Sequence, residues 1–315
     1  MTDDAKALAT DCLQAADDCH DEDPPRGASL LRRIDPAALD ASQRPLYAFL
    51  LNHVLSEKLG LHLEAWQGQQ AVLESAGPQA PLPLLRHAAA AARLAGDAAG
   101  EDRLTARLAT AAGTGPAQAC DLVGLAATSF RVPALAAEAA GEAAMGALAP
   151  LRGVAWQRAS GLDAAAGILT NNIASDLAER APHELRSTPL RLAMAEAATL
   201  AQGFWHRAGQ WVQHERAHYL RALVANALGD AAEAELQARA GLVLLESFDR
   251  EQQERVDQAF LRLELSHALA RQGQAVDAQV ERTQADALVE ALDDPSISAW
   301  YGRRVARQAT LDAAA

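Results

Sequence analysis

The stretch Ala222-Leu223-Val224-Ala225-Asn226-Ala227-Leu228-Gly229-Asp230-Ala231-Ala232-Glu233-Ala234 decides how this chain is read. An apolar helical run stops at a Gly-Asp pair, resumes at once, and places a small residue five positions after the glycine. The phrase returns as Gln272-Gly273-Gln274 with Ala278 and as Leu59-Gly60-Leu61 with Ala65. A further copy, Ala95-Gly96-Asp97, has Glu101 at the fifth position. Glycine ends a helix at little cost, and small side chains at a crossing let two helix backbones approach. Recurrence of such a turn at intervals of tens of residues marks stacked helical hairpins. A nonrepetitive helical bundle with coincidental Gly-Asp turns is the alternative.

Composition agrees with an all-α chain. Half of the 315 residues are apolar, yet aromatics make up only 4%. The apolar share is mostly alanine and leucine, the strongest helix formers, while the residues that favour strands are scarce. The net charge of −13 repels a phosphate backbone, and no basic run or helix-turn-helix pattern offsets it, so no nucleic-acid partner is expected. The three cysteines, Cys12, Cys19 and Cys120, suit a reduced cytoplasm better than a disulfide framework. Met1-Thr2-Asp3-Asp4 lacks the basic and apolar regions of a signal peptide. The Ala-rich region 116–150 is broken by Asp121, Arg131, Glu138 and Glu142, so no membrane span is expected. Alanine and arginine are plentiful while Lys6 and Lys58 are the only lysines, a usage typical of GC-rich bacterial genomes. The expected setting is therefore the bacterial cytoplasm.

Helical spacing and stop signals divide the chain into helical repeats over 1–148, an irregular junction over 149–161, and further repeats with a C-terminal capping helix over 162–315. Within these, 132–148 reads as one helix, 250–272 as another, and 296–311 as the cap. Thr188-Pro189 supplies a hydroxyl followed by proline, a favourable helix start.

At its recurring glycines the chain resembles the tetratricopeptide repeat family, in which helix pairs stack. The best copy runs from Glu215 to Leu245, and Ser266, Leu269, Gly273, Ala278 and Ala285 echo it in the next. Arg221 and His218 stand where the family usually carries leucine and often tryptophan. The resemblance implies a right-handed α-α superhelical solenoid with the first helix of each pair lining a groove. The family's groove positions fall on Tyr47, Arg86, Arg93, Arg216, Tyr219, Asn226, His267 and Arg271. Such a face suits a protein or peptide partner carrying acidic groups, since guanidinium binds carboxylate bidentately. Pairing of these arginines with neighbouring Asp and Glu is the other reading. The implied role is a non-catalytic scaffold or adaptor without a cofactor. A regulatory sensor for a small peptide or metabolite is the alternative.

One stretch carries catalytic-looking chemistry. His214-Glu215-Arg216-Ala217-His218 spells H-E-x-x-H, which on a helix puts two imidazoles one turn apart for zinc, with Glu215 as general base. A third ligand is missing from the sequence: Arg221 and Val224 stand where the extended motif has Gly and His. No metal site is therefore expected there, and the His pair reads as part of a repeat helix. Cys12, Cys19 and His20 offer donor atoms near one another, but without a second cluster they read as semi-buried helix residues. Gly113-Thr114-Gly115-Pro116 lacks the Gly-Lys-Ser/Thr of a phosphate cradle. Trp205 and Trp211 bracket Gly209 and are expected to pin that corner.

Overall fold

The computed structural model describes residues 3–314. Every regular element among the described residues is helical, with no strand, as an alanine- and leucine-rich chain poor in β-formers requires. No helix among them is long and apolar enough to cross a membrane. The chain divides into two compact units, Met1–Leu135 with Ala149–Ala165 and Ala136–Leu148 with Ala166–Ala315.

The first unit holds α1 (Asp3–Cys19), α2 (Pro24–Leu31), α3 (Arg44–Leu50), α4 (His62–Ala76), α5 (Leu82–Ala95), α6 (Ala98–Ala112) and α7 (Pro116–Ser129). A π-helical stretch, Leu51–Lys58, continues α3 directly. Helix α5 is central, packed on α3, α4, α6 and α7. It can be, because Ala88 through Ala92 are all buried and keep its surface thin on every side. Short 3-10 turns, Ala149–Arg152 and Val154–Trp156, return to this unit, and buried Trp156 donates its indole N–H to Asp121 at 3.0 Å.

The second unit holds α8 (Ala137–Leu148), most of α9 (Asp163–Ala178), α10 (Thr188–Ala208), α11 (Trp211–Leu228), α12 (Ala231–Phe248), α13 (Arg255–Arg271), α14 (Ala275–Leu292) and α15 (Pro295–Ala314). Helices α11 and α12 form one hairpin and α13 and α14 the next, with α13 packed on both members of the first. Ala222, Ala238, Leu242, Leu261, Leu265, Leu269 and Ala278 fill the space between the hairpins. Ala234, the small residue after the turn, is fully buried against Ala225 and Ala268.

The recurring glycine acts through backbone conformation. Gly229 takes φ +84°, and its N–H and that of Asp230 close onto Asn226 and Ala225 at 3.1 and 2.9 Å. This left-handed cap satisfies the last carbonyls of α11. The Asp230 carboxylate then accepts from Glu233 N at 3.1 Å, which starts α12. Gly96 and Asp97 repeat the arrangement between α5 and α6: Asp97 N bonds Ala92 O at 2.9 Å, and its carboxylate accepts from Gly100 N at 2.9 Å.

Two helices begin later than their periodicity predicts. The helix expected over 132–148 starts at Ala137, because Pro133 sits in a separate 3-10 turn, Val132–Ala134. The helix expected from 250 starts at Arg255. There the Asp249 carboxylate draws the amides of Gln253 and Glu254 to 2.8 and 2.9 Å, and Gln252 takes φ +54°.

Helices α8 and α10 meet at a glycine. A Cβ on buried Gly141 would lie 2.3 Å from Leu190 N and 2.4 Å from Pro189 C, both backbone atoms that cannot swing aside. Gly141→Ala should lower stability to urea by about 1–3 kcal/mol. Gly146→Ala on the same helix, where a Cβ meets nothing within 4 Å, should raise it by about 0.5–1 kcal/mol. Equal unfolding midpoints for the two variants would contradict this packing.

Candidate functional site

The site is built around one carboxylate. Helix α13 presents Leu261, Leu263, Leu265 and Leu269 to the core, and among them stands Glu264, with 0% exposure. A charge so placed costs several kcal/mol, on the order of the usual burial penalty, unless it is matched. Arg304 of α15 matches it with two contacts, Nε to Oε1 at 2.6 Å and Nη2 to Oε2 at 3.1 Å. Asn226 of α11 donates to Oε2 at 2.8 Å and to the Glu264 carbonyl at 3.0 Å. Gln308 donates to Oε1 at 3.2 Å. Burial works to raise the Glu264 pKa, but Arg304 and Asn226 outweigh it and hold the carboxyl below its ordinary value. The remaining guanidinium nitrogen of Arg304 donates to Glu179 at 3.1 Å.

The rest of α15 follows that anchor. Arg307 donates to the carbonyls of Ala178, at 3.1 Å, and Arg180, where a cation complements the C-terminal end of α9. Further along, Asp312 accepts from His267 Nε2 at 2.9 Å and lies 3.9 Å from Arg271 Nε. Leu311 is buried and lines a hollow with Arg271, Arg191, Leu228 and Gly229. Tyr301 packs edge-on to Phe260, which Tyr219 meets edge-on in turn.

Four of the positions expected to face a groove are thus gathered beneath α15: Tyr219, Asn226, His267 and Arg271. The other four have different surroundings. Arg216 is pinned by Asp257 at 2.8 Å and Glu254 at 3.0 Å. In the first unit Arg93 is bound by Glu101 at 2.8 Å. Both therefore show the pairing with neighbouring acids that the sequence left open. Tyr47 is buried, its hydroxyl donating to Leu31 O at 3.3 Å, and burial pushes its pKa up to about 12. Arg86 is buried too and donates to His87 Nε2 at 3.1 Å, with no carboxylate beside it among the described residues. Burial lowers its pKa to about 10 and, with the Arg86 charge, keeps His87 neutral. Neither Tyr47 nor Arg86 is open to a partner in this conformation.

The H-E-x-x-H stretch lies on α11, and its side chains are engaged separately. His214 Nε2 donates to Trp205 O at 3.1 Å, and His218 Nδ1 donates to Gln237 Oε1 at 2.7 Å. Glu215 is wholly buried, with the Asp257 carboxylate beside it. No third donor joins the two imidazoles among the described residues. Trp205 leans over Gly167 of α9, so its packing reaches beyond the Gly209 corner.

Sequence reasoning missed Glu264, Arg304 and Asp312. The one signal available was an acid at Glu264 set between Leu261, Leu263, Leu265 and Leu269, an arrangement that demands a cation if that face is buried.

Glu215 generates a test. Burial, and after it the negative charge of Asp257, raises its pKa far above the ordinary carboxylate value of 4.5. The folded chain keeps this proton where the unfolded chain has lost it, so its contribution is full below about pH 4.5 and is lost as pH rises. Glu215→Gln removes that loss. Its stability advantage over the wild type should widen from pH 5 to pH 8 and reach at least about 1 kcal/mol, less than one pKa unit's worth. Parallel stability–pH curves would refute the assignment. The sequence matches no protein-family model and no curated protein, so the reading of this site rests on its own residues.

Proposed function

We propose that this chain is a non-catalytic adaptor of the tetratricopeptide type, a superhelical solenoid whose inner helices bind a helical segment of a partner protein without a cofactor. The observation that carries this reading is α15. A helix of this chain lies on α13, met by side chains at two positions where a repeat of that family takes its ligand, His267 and Arg271, while Asn226 holds the Glu264 carboxylate that Arg304 pairs with.

The contacts describe what such a face accepts. Glu264 calls for an arginine. His267 and Arg271 call for a carboxylate, the role Asp312 fills. Arg304 and Asp312 are eight residues apart, roughly 12 Å along a helix. A partner helix with an arginine, a carboxylate two turns on and an apolar residue between them has the matching chemistry. This narrows the acidic peptide expected from the sequence to a helix carrying both signs of charge. The anionic surface of the chain favours a protein partner over nucleic acid, and the scarcity of cysteine favours the cytoplasm.

Residues 295–315 supply the probe. A labelled peptide of that sequence should bind a chain ending at Asp294 in a fluorescence anisotropy titration. Arg304→Glu or Asp312→Lys in the peptide should weaken binding at least about tenfold, or 1.4 kcal/mol. Far-ultraviolet dichroism checks that the shortened chain stays helical. A folded chain that ignores the peptide, or binds wild-type and altered peptides alike, would refute the reading.

A further inference from the structure

A second cluster, in the first unit, has no part in the helix-binding reading. Helix α1 ends at Cys19, and His20 and Asp21 lie in the turn before α2. His53 comes from the π-helical stretch Leu51–Lys58. The two imidazoles converge on one carboxylate: His20 Nε2 is 3.3 Å from Asp21 Oδ2, and His53 Nε2 is 3.2 Å from Asp21 Oδ1. The three donor atoms all lie within 4.8 Å of one another, and no other such trio of His, Cys, Asp or Glu exists among the described residues.

The far nitrogens of both rings are already held. His53 Nδ1 donates to Glu57 Oε2 at 3.0 Å, one turn along, and His20 Nδ1 donates to the Asp17 carbonyl. Fixing Nδ1–H in this way turns each Nε2 towards the common point, the arrangement that orients histidines around a metal ion. Phe49 stacks on His53 at 5.2 Å and 14°, and the His20 and His53 rings meet edge to face at 5.1 Å, so neither ring is free to turn away. The side of Asp21 faces solvent, with 63% of its side chain exposed, which leaves an entry path. A zinc ion with bonds of about 2.0–2.1 Å sets tetrahedral ligand edges of roughly 3.3 Å; each imidazole already lies at 3.3 or 3.2 Å from one Asp21 oxygen, and the three ligand atoms fall within 4.8 Å of one another.

We propose that His20, Asp21 and His53 form a binding site for a divalent transition-metal ion of the zinc class, with Glu57 as the positioning residue for His53. Without the ion the cluster is held by cations of its own: Lys58 Nζ lies 2.9 Å from Asp21 Oδ1. The incoming metal displaces that ammonium from Asp21. Three protein ligands leave a coordination position open to solvent.

Isothermal titration of the chelator-treated full chain with zinc chloride tests this. One equivalent should bind with a Kd of about 1 μM or tighter, a free energy near −8 kcal/mol or better. Cobalt(II) in its place should give a visible absorption band that added zinc removes. His20→Ala and His53→Ala should each abolish binding, and Glu57→Gln should weaken it about 10- to 100-fold with the stoichiometry unchanged. Lys58→Met, which removes the competing cation, should tighten it. The paired change His214→Ala with His218→Ala should leave it untouched. Absence of saturable binding by the wild type at about 100 μM zinc, a concentration that fills any site of useful affinity, would overturn the proposal. So would an equivalent of zinc retained after loss of both His20 and His53.

Discussion

A carboxylate at the centre of an apolar helix face has to be matched, and Glu264 is matched by Arg304. The second unit is organised by that requirement. Removing one partner of a buried pair leaves an unmatched charge and costs about 3–5 kcal/mol. Helix α15 therefore has one position on α13 in which the pair is satisfied, and its other contacts are in register with it. Arg307 reaches the end of α9, Gln308 joins the same carboxylate, and Asp312 meets His267. Asn226, whose amide also bonds Glu264, ties α11 to the same point, so one ion pair connects three helices. Apolar contact alone would permit α15 to slide, whereas charge and hydrogen-bond geometry fix its register.

The hairpins beneath that pair follow from a cheaper device. Gly229 turns the chain through a left-handed cap, Asp230 restarts it, and Ala234 lets the returning helix approach. In the first unit Gly96 and Asp97 do the same, and Trp66 adds an indole N–H to the Asp97 carboxylate at 3.1 Å. The Gly-Asp turn itself is local, spanning fewer than ten residues. That is why it recurs legibly along the chain, while the elements it joins vary in length.

The same difference explains what could be read in advance. Helical class, most helix ends and the Gly-Asp turns depend on neighbouring residues and were visible in the sequence. Pro133 and Asp249 were visible too, yet periodicity does not weigh the 3-10 turn that Pro133 sits in or the side-chain hydrogen bonds of Asp249, which set where α8 and α13 begin. His267 and Arg271 were expected at a binding face, but what lies against them comes from α15, far along the chain, and no spacing rule connects the two. The proposed metal site behaves alike. His20 stood out beside Cys12 and Cys19, but its companion is His53, delivered by a π-helical turn that no propensity predicts. Conversely, the motif that looked most like chemistry, His214 to His218, points its imidazoles at Trp205 and Gln237. Local pattern specified scaffolding here, and long-range pairing specified the sites.

The most direct measurement is a double-mutant cycle on the pair itself. Urea unfolding of the wild type, Glu264→Leu, Arg304→Leu and the double variant yields the coupling energy between the two side chains. Each single change should be strongly destabilising and the double variant should recover much of the loss, with a coupling of about 1.5–3 kcal/mol. Additive effects, with a coupling within about 0.5 kcal/mol of zero, would mean that Arg304 does not hold α15 on Glu264.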